Sequence, residues 1–116
     1  MKKFIFLFAF CITVTNLFAQ TDPIQIKKEG NDAFNAKNYS VAYAKFSEYL
    51  KQTNNQDSAT AYYCGMAANE IKKYPEAVTY FDIAIEKKFN IGNAYARKAA
   101  ALDALKKTDE YVATLE

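Results

Sequence analysis

Of the side chains able to act as nucleophiles, acids, bases or ligands, Cys64 is the one whose surroundings decide its role. A thiol among cations is reactive, whereas one in an apolar setting is inert. Tyr62, Tyr63 and Met66 flank Cys64, and it falls on an apolar stripe at helical spacing, so it reads as a small buried hydrophobe. Histidine is absent from the 116 residues. That removes Ser-His and Cys-His nucleophile pairs, His-ligated zinc, haem held by histidine, and the commonest general base. No carboxylate pair stands apart as facing a pocket rather than water, and Gly30, Gly65 and Gly92 are too scattered to cradle a phosphate. The expectation is a protein that is not an enzyme, with no catalytic residue, metal or cofactor. The triplet "NYS" at Asn38 fits an N-glycosylation acceptor, and "DSA" at Asp57 resembles an O-glycosylation triplet. Both fall where helix caps are expected, and capping is the reading adopted.

The chain opens with Lys2 and Lys3, an apolar run from Phe4 to Val14, and then "NLFAQ". These are the parts of a secretory signal peptide over residues 1–19, cut after Ala19 and followed by one domain over residues 20–116. An uncleaved anchor is the alternative, but the run is shorter than the ~20 apolar residues a spanning helix requires. Cys11 as a lipidated cysteine is disfavoured, because "FAF" before it lacks the small residue of lipoprotein signals. The expected location is therefore outside the cytoplasm, periplasmic or envelope-associated, with no membrane insertion after cleavage. The whole chain carries 15 Lys and Arg against 13 Asp and Glu. Two of those lysines leave with the leader, so the mature chain is near neutral. Its Lys pairs are interrupted by acids throughout, which argues against a nucleic-acid partner. Cys64 is the only cysteine left after cleavage, so no intrachain disulfide holds the mature chain.

What positions these residues is a repeat. "NYSVAYAKF" at Asn38 and "KYPEAVTYF" at Lys73 align 35 residues apart, bringing Gly30 over Gly65, Tyr39 over Tyr74, Ala42 over Ala77, Phe46 over Phe81 and Leu50 over Ile85. Self-similarity at this period is the mark of stacked helical units. A third, looser copy places Ala99 in the glycine slot, with Leu102, Leu105, Tyr111 and Leu115 following. Each unit reads as two helices, with boundaries near residues 23–57, 58–91 and 92–116, the last incomplete. Asp22 is expected to cap the helix opened by Pro23, with Gln25 reaching back; Asn38, Asp57, Asn90 and Thr108 are the comparable cap or turn residues. A second helix beginning near Asp109 would be cut short. Small residues at 30, 42, 65 and 77 are expected to let paired helices approach, with Phe46 and Phe81 filling the space beyond.

The segments "GNDAFNAKNYSVAYAKFSEYL" and "GMAANEIKKYPEAVTYFDIAI" resemble tetratricopeptide repeats. The second copy matches best, through Gly65, Tyr74, Ala77, Phe81 and Ala84. The first departs at Tyr49, where the family prefers alanine, and neither has the family's proline after its second helix, its slot being held by Asn54 and Phe89. The resemblance implies an all-α fold, an α-α superhelix of about three helix-turn-helix units. It also implies a concave groove, lined by the first helix of each unit, that binds a polypeptide. By position the groove residues are Lys27, Asn31, Phe34 and Asn35, then Tyr62, Tyr63, Met66 and Asn69, then Asn93, Arg97 and Ala100. Lys27, Asn31 and Arg97 coincide with slots that chaperone-binding relatives use to clamp a terminal carboxylate. Tyr63 and Asn93 replace an asparagine and a lysine of that clamp, and an exported protein would not meet cytosolic chaperones. The expected function is a non-catalytic scaffold of the bacterial envelope with a protein or peptide partner. The alternatives are the recognition region of a longer exported enzyme and self-association through the C-terminal edge.

Overall fold

The computed structural model describes residues 22–115 of the chain. The leader over residues 1–19, Cys11 and the cut after Ala19 lie outside the described residues. Among the described residues there are five α-helices and no strand: α1 (Pro23–Asn35), α2 (Tyr39–Gln52), α3 (Ser58–Glu70), α4 (Tyr74–Glu86) and α5 (Ile91–Leu115). Each helix packs on the next, and connections of a few residues turn successive helices back on one another. The pairs α1–α2 and α3–α4 are the first two repeat units, stacked through α2 and α3.

Sequence-local chemistry starts the helices where expected. Asp22 accepts a hydrogen bond from the Ile24 N–H at 3.1 Å, Asn38 from the Val41 N–H, and Asp57 from the Thr60 N–H at 3.1 Å. Each satisfies a donor that a helix N-terminus leaves free. Gln25 does not reach back; its amide donates to Glu29 one turn on, at 3.3 Å. α4 starts at Tyr74 after Lys73, which makes no side-chain cap, and Pro75 sits in the first turn, where its missing N–H is no loss.

The helices stop by one device used four times. Lys37, Asn54, Lys72 and Lys88 all adopt left-handed backbone, with φ of 60°, 54°, 63° and 61°. The next residue in each case donates its N–H back across the last turn: Asn38 to Ala33, Asn55 to Leu50, Lys73 to Ala68 and Phe89 to Ala84, every one at 2.8 Å. This is the Schellman closure, usually built on glycine. It also answers for the absent family prolines. Asn54 and Phe89 lie within these closures, and Phe89 turns its ring onto Tyr62 at 5.7 Å between centroids.

Packing follows the repeat. Ala42, Phe46 and Leu50 of α2 bury against Ala61, Cys64 and Ala67 of α3. Tyr62 and Ala68, on the other side of α3, bury with Ala77, Phe81 and Ala84 of α4 and with Ala94 and Ala101 of α5. α3 is thus the central rod, and its alanines let it be enclosed from both sides. The glycine notches receive rings. A Cβ at Gly30 would lie 2.7 Å from the Phe46 ring, and one at Gly65 would lie 2.8 Å from that of Phe81.

The third unit differs from expectation. No turn forms at Thr108, and α5 is one 25-residue helix running through Asp109. The slot of Ala42 and Ala77 holds Tyr111, too large for the close helix contact, and Thr108 stands where the other units have an aromatic. Ala99 is exposed and Leu115, in the phenylalanine slot, is 69% exposed, so the notch-and-ring pair that folds the first two units back does not form. Nothing in the sequence between Lys106 and Asp109 interrupts helix.

Candidate functional site

The first helices of the units bring four of the expected groove residues together. Asn31, Phe34 and Asn35 at the C-terminal end of α1 and Tyr63 of α3 line one pocket of about 350 Å³ across the unit boundary. Its walls are aromatic: the Phe34 and Tyr63 rings meet edge to face at 5.4 Å, a geometry their quadrupoles favour. Phe34 is held from behind by Tyr39 at 5.5 Å and Phe46 at 6.2 Å. Asn31, Asn35 and Tyr63 remain exposed, so the pocket offers two amides, which donate and accept, beside two ring faces.

The remaining groove residues are placed otherwise. Tyr62 is 5% exposed, with its ring against Phe81 at 5.8 Å, and it supports Tyr63 at 5.5 Å rather than facing solvent. Met66 is half-buried on the same core. Asn69 is half-buried, and its Oδ1 is enclosed with no hydrogen-bond donor. Asn93, Arg97 and Ala100 recur at helical spacing on exposed positions of α5, and Asn93 donates to Asn90 Oδ1 at 2.9 Å. None of the three lines the Asn31–Tyr63 pocket.

The two cations of the clamp arrangement are engaged within the fold. Lys27 Nζ donates to Asp57 Oδ2 at 2.7 Å and lies 5.5 Å from the centre of the Tyr49 ring. Tyr49 donates its hydroxyl to the same carboxylate oxygen at 3.2 Å. Arg97 Nε donates to the Tyr62 hydroxyl at 2.9 Å, its guanidinium 5.9 Å from that ring's centre. Lys27 and Tyr62 occupy equivalent positions of the first two units, and Arg97 reaches Tyr62 from α5.

The Lys27–Tyr49–Asp57 cluster is not visible in the sequence, although Tyr49 departs there from the alanine that the repeat family prefers. Asp57 does double duty there, capping α3 with one oxygen and joining α1 to α2 with the other. Burial alone would raise the carboxyl, but the Lys27 ammonium and the Thr60 donors overcome it and hold it at about 2. The hydrogen bond to Asp57 in turn raises the Lys27 ammonium. Cys64 is fully buried, and burial pushes its thiol up to about 12, partly offset by the neighbouring Tyr80 hydroxyl. It is not a nucleophile at neutral pH. Among the described residues no group of His, Cys, Asp and Glu is gathered to hold a metal ion, and no helix is long and apolar enough to cross a membrane.

A second, larger depression of about 610 Å³ lies on the opposite helices, between Ser47, Glu48 and Lys51 of α2 and Glu76, Thr79 and Tyr80 of α4. Sequence reasoning gave no sign of it, because its walls come from two units whose register only the stacking sets.

No family model matches the chain. Among solved structures it is similar to a TPR repeats protein from Bacteroides fragilis, 64% identical, with a TM-score of 0.74 over 83% of this chain and 43% of that one. Among curated proteins it is similar to two from Schizosaccharomyces pombe. One is the ER protein translocation subcomplex subunit sec67, 29% identical over 107 residues, 82% of this chain and 56% of the relative. The other is the DnaJ homolog subfamily C member 7 homolog, 32% identical over 110 residues, 88% of this chain and 22% of the relative. The chain thus spans about half or less of the length of the proteins it matches.

Proposed function

Starting from a chain built of tetratricopeptide repeats, we propose that it is a non-catalytic interaction module that holds a polypeptide segment against the concave side formed by α1 and α3. The observation that carries this reading is the convergence of Asn31, Phe34, Asn35 and Tyr63 on one pocket spanning two units. An extended peptide leaves its N–H and C=O groups unpaired, and two exposed amides suit them as donors and acceptors. Phe34 and Tyr63, already held by their aromatic neighbours, offer contact area with little further loss of freedom. The carboxylate clamp is not part of the proposal, since Lys27 and Arg97 each have a partner in the fold. Export to the periplasm or envelope belongs to the same proposal and rests on Lys2, Lys3 and the apolar run to Val14. N-terminal sequencing of the exported protein tests that part, with Gln20 as the expected first residue.

The groove is tested by recovering partners from an envelope extract with the parent chain and with an Asn31→Ala, Tyr63→Ala double variant. The expected result is loss of a specific band from the variant while its far-UV circular dichroism matches the parent. Equal recovery by both proteins would remove these residues from the binding surface.

A further inference from the structure

The depression on the α2–α4 side is larger than the concave pocket, about 610 against 350 Å³, and its chemistry is one-sided. Tyr80 and Ile83 are half-buried and pack on the Ala42–Phe46–Leu50 cluster, which makes them its apolar floor. The hydroxyls on its walls point their protons at backbone carbonyls: Ser47 Oγ donates to the Ala44 carbonyl at 3.0 Å and Thr79 Oγ1 to that of Pro75 at 3.2 Å. Both are left with lone pairs to offer. Glu48 and Glu76 are exposed on opposite walls, and among the described residues neither takes part in an ion pair. Burial is the main reason the Tyr80 hydroxyl on the floor is raised above its ordinary value, with Cys64 and Tyr43 adding to it and Glu76 contributing least. α2 and α4, separated by one helix that reverses the chain, run in the same direction. Glu48 and Glu76 therefore lie toward the start of the lining stretch on each wall, with Lys51 following on α2 and Asn55 just past its end.

We propose that this α2–α4 groove is a second docking surface, one that receives a segment of a protein partner carrying Lys or Arg side chains. The complement is chemical. Acceptors outnumber donors around the groove, and an ammonium or guanidinium supplies donors only. A long basic side chain would lay its methylenes along Tyr80 and Ile83 while its head reaches Glu48 and Glu76, and hydrogen bonds between ionised partners are the stronger kind. Lys51 stands one turn further along and sets a direction, because a second cation is disfavoured at that end.

The test uses the full chain and two capped pentapeptide probes, acetyl-Ala-Arg-Leu-Arg-Ala-amide and its counterpart with glutamates for the arginines. The basic probe is expected to shift backbone amide resonances around Ser47–Lys51 and Glu76–Ile83, and to bind more weakly as salt is raised. Both glutamates are exposed, so a Glu48→Gln, Glu76→Gln variant should retain the fold while its affinity for the basic probe falls by about tenfold or more. Shifts confined to Asn31, Phe34 and Tyr63, equal binding of the acidic probe, or an unchanged affinity in the double variant would each overturn the proposal. The last two outcomes leave partner recovery through the α1–α3 pocket untouched, and loss of that recovery in the Asn31→Ala, Tyr63→Ala variant leaves the α2–α4 groove untouched, so the two readings fail separately.

Discussion

A methyl group added at Gly65 would meet the Phe81 ring at 2.8 Å, whereas one added at Gly92 would meet nothing within 4 Å. Both glycines are helical; alanine is favoured by about 0.5 to 1 kcal/mol in a helix interior, and Gly92, the second residue of α5, should gain only part of that. The two substitutions therefore separate packing from propensity. Gly92→Ala should raise the melting temperature slightly, and Gly65→Ala should lower it at a cost of about 1 to 3 kcal/mol, because the fully buried ring has nowhere to retreat. Equal effects in thermal melts would remove the notch-and-ring account. Asp57 gives a prediction in pH. Its carboxyl is depressed to about 2 from an ordinary value of 3.8. Its contribution is thus complete above about pH 4 and is lost as pH falls from there through about 2. Asp57→Asn keeps an acceptor for the Thr60 N–H but not the charge facing Lys27. The gap in stability between parent and variant should be steady at neutral pH and close toward pH 2. The glycine–phenylalanine pairs were legible in the sequence because the repeat states them twice. The Lys27–Tyr49–Asp57 cluster was not, because it joins three helices and appears once.

Helix ends were only half visible in the residue types. Asp22, Asn38 and Asp57 announce starts, since a short acceptor side chain has a specific use there. Three of the four stops fall on lysine, which has no chemical preference for left-handed backbone. Holding an ordinary L-residue in that conformation is unfavourable by about 1 to 2 kcal/mol relative to the right-handed form. Glycine removes that strain but leaves a freer unfolded chain, which takes back about 0.4 to 1 kcal/mol. Lys37→Gly and Lys72→Gly should each come out net stabilising, by about 0.5 to 1 kcal/mol, read as a shift in the denaturation midpoint at constant slope. A loss of stability would mean that these lysine side chains make contacts that outweigh the strain. α5 shows the opposite limit of legibility. The expected turn at Thr108 was inferred by extending the repeat, but repeat spacing alone does not break a helix. In the first two units a small residue and an aromatic ring draw the second helix back, and in the third those slots hold Tyr111 and Leu115.

At the scale of the whole molecule, α2 meets α3 on one side of the central rod and α4 and α5 meet it on the other, through two separate core clusters. Both surfaces proposed for binding, the α1–α3 pocket and the α2–α4 groove, cross the boundary between units. The four residues of the α1–α3 pocket are among the groove positions that the repeat resemblance implies, whereas the α2–α4 groove was not legible from sequence, because the rotation of one unit on the next belongs to the stack rather than to any residue. Such a stack is stabilised by a sum of unit and neighbour terms, so a lesion in one unit should be felt mainly there. Phe46 lies in the α2–α3 cluster and Phe81 in the α3–α5 cluster, and both are essentially buried. Truncating either to alanine should remove about 3 to 5 kcal/mol locally. In native-state hydrogen exchange, Phe46→Ala should cut protection of amides in α1 and α2 by most of that amount. Those of α4 and of α5 from Ala94 to Ala101 should keep most of theirs. Phe81→Ala should give the reverse pattern, with α3 losing protection in both variants because it contributes to both clusters. A uniform loss across all five helices would mean that the units open together as one cooperative block.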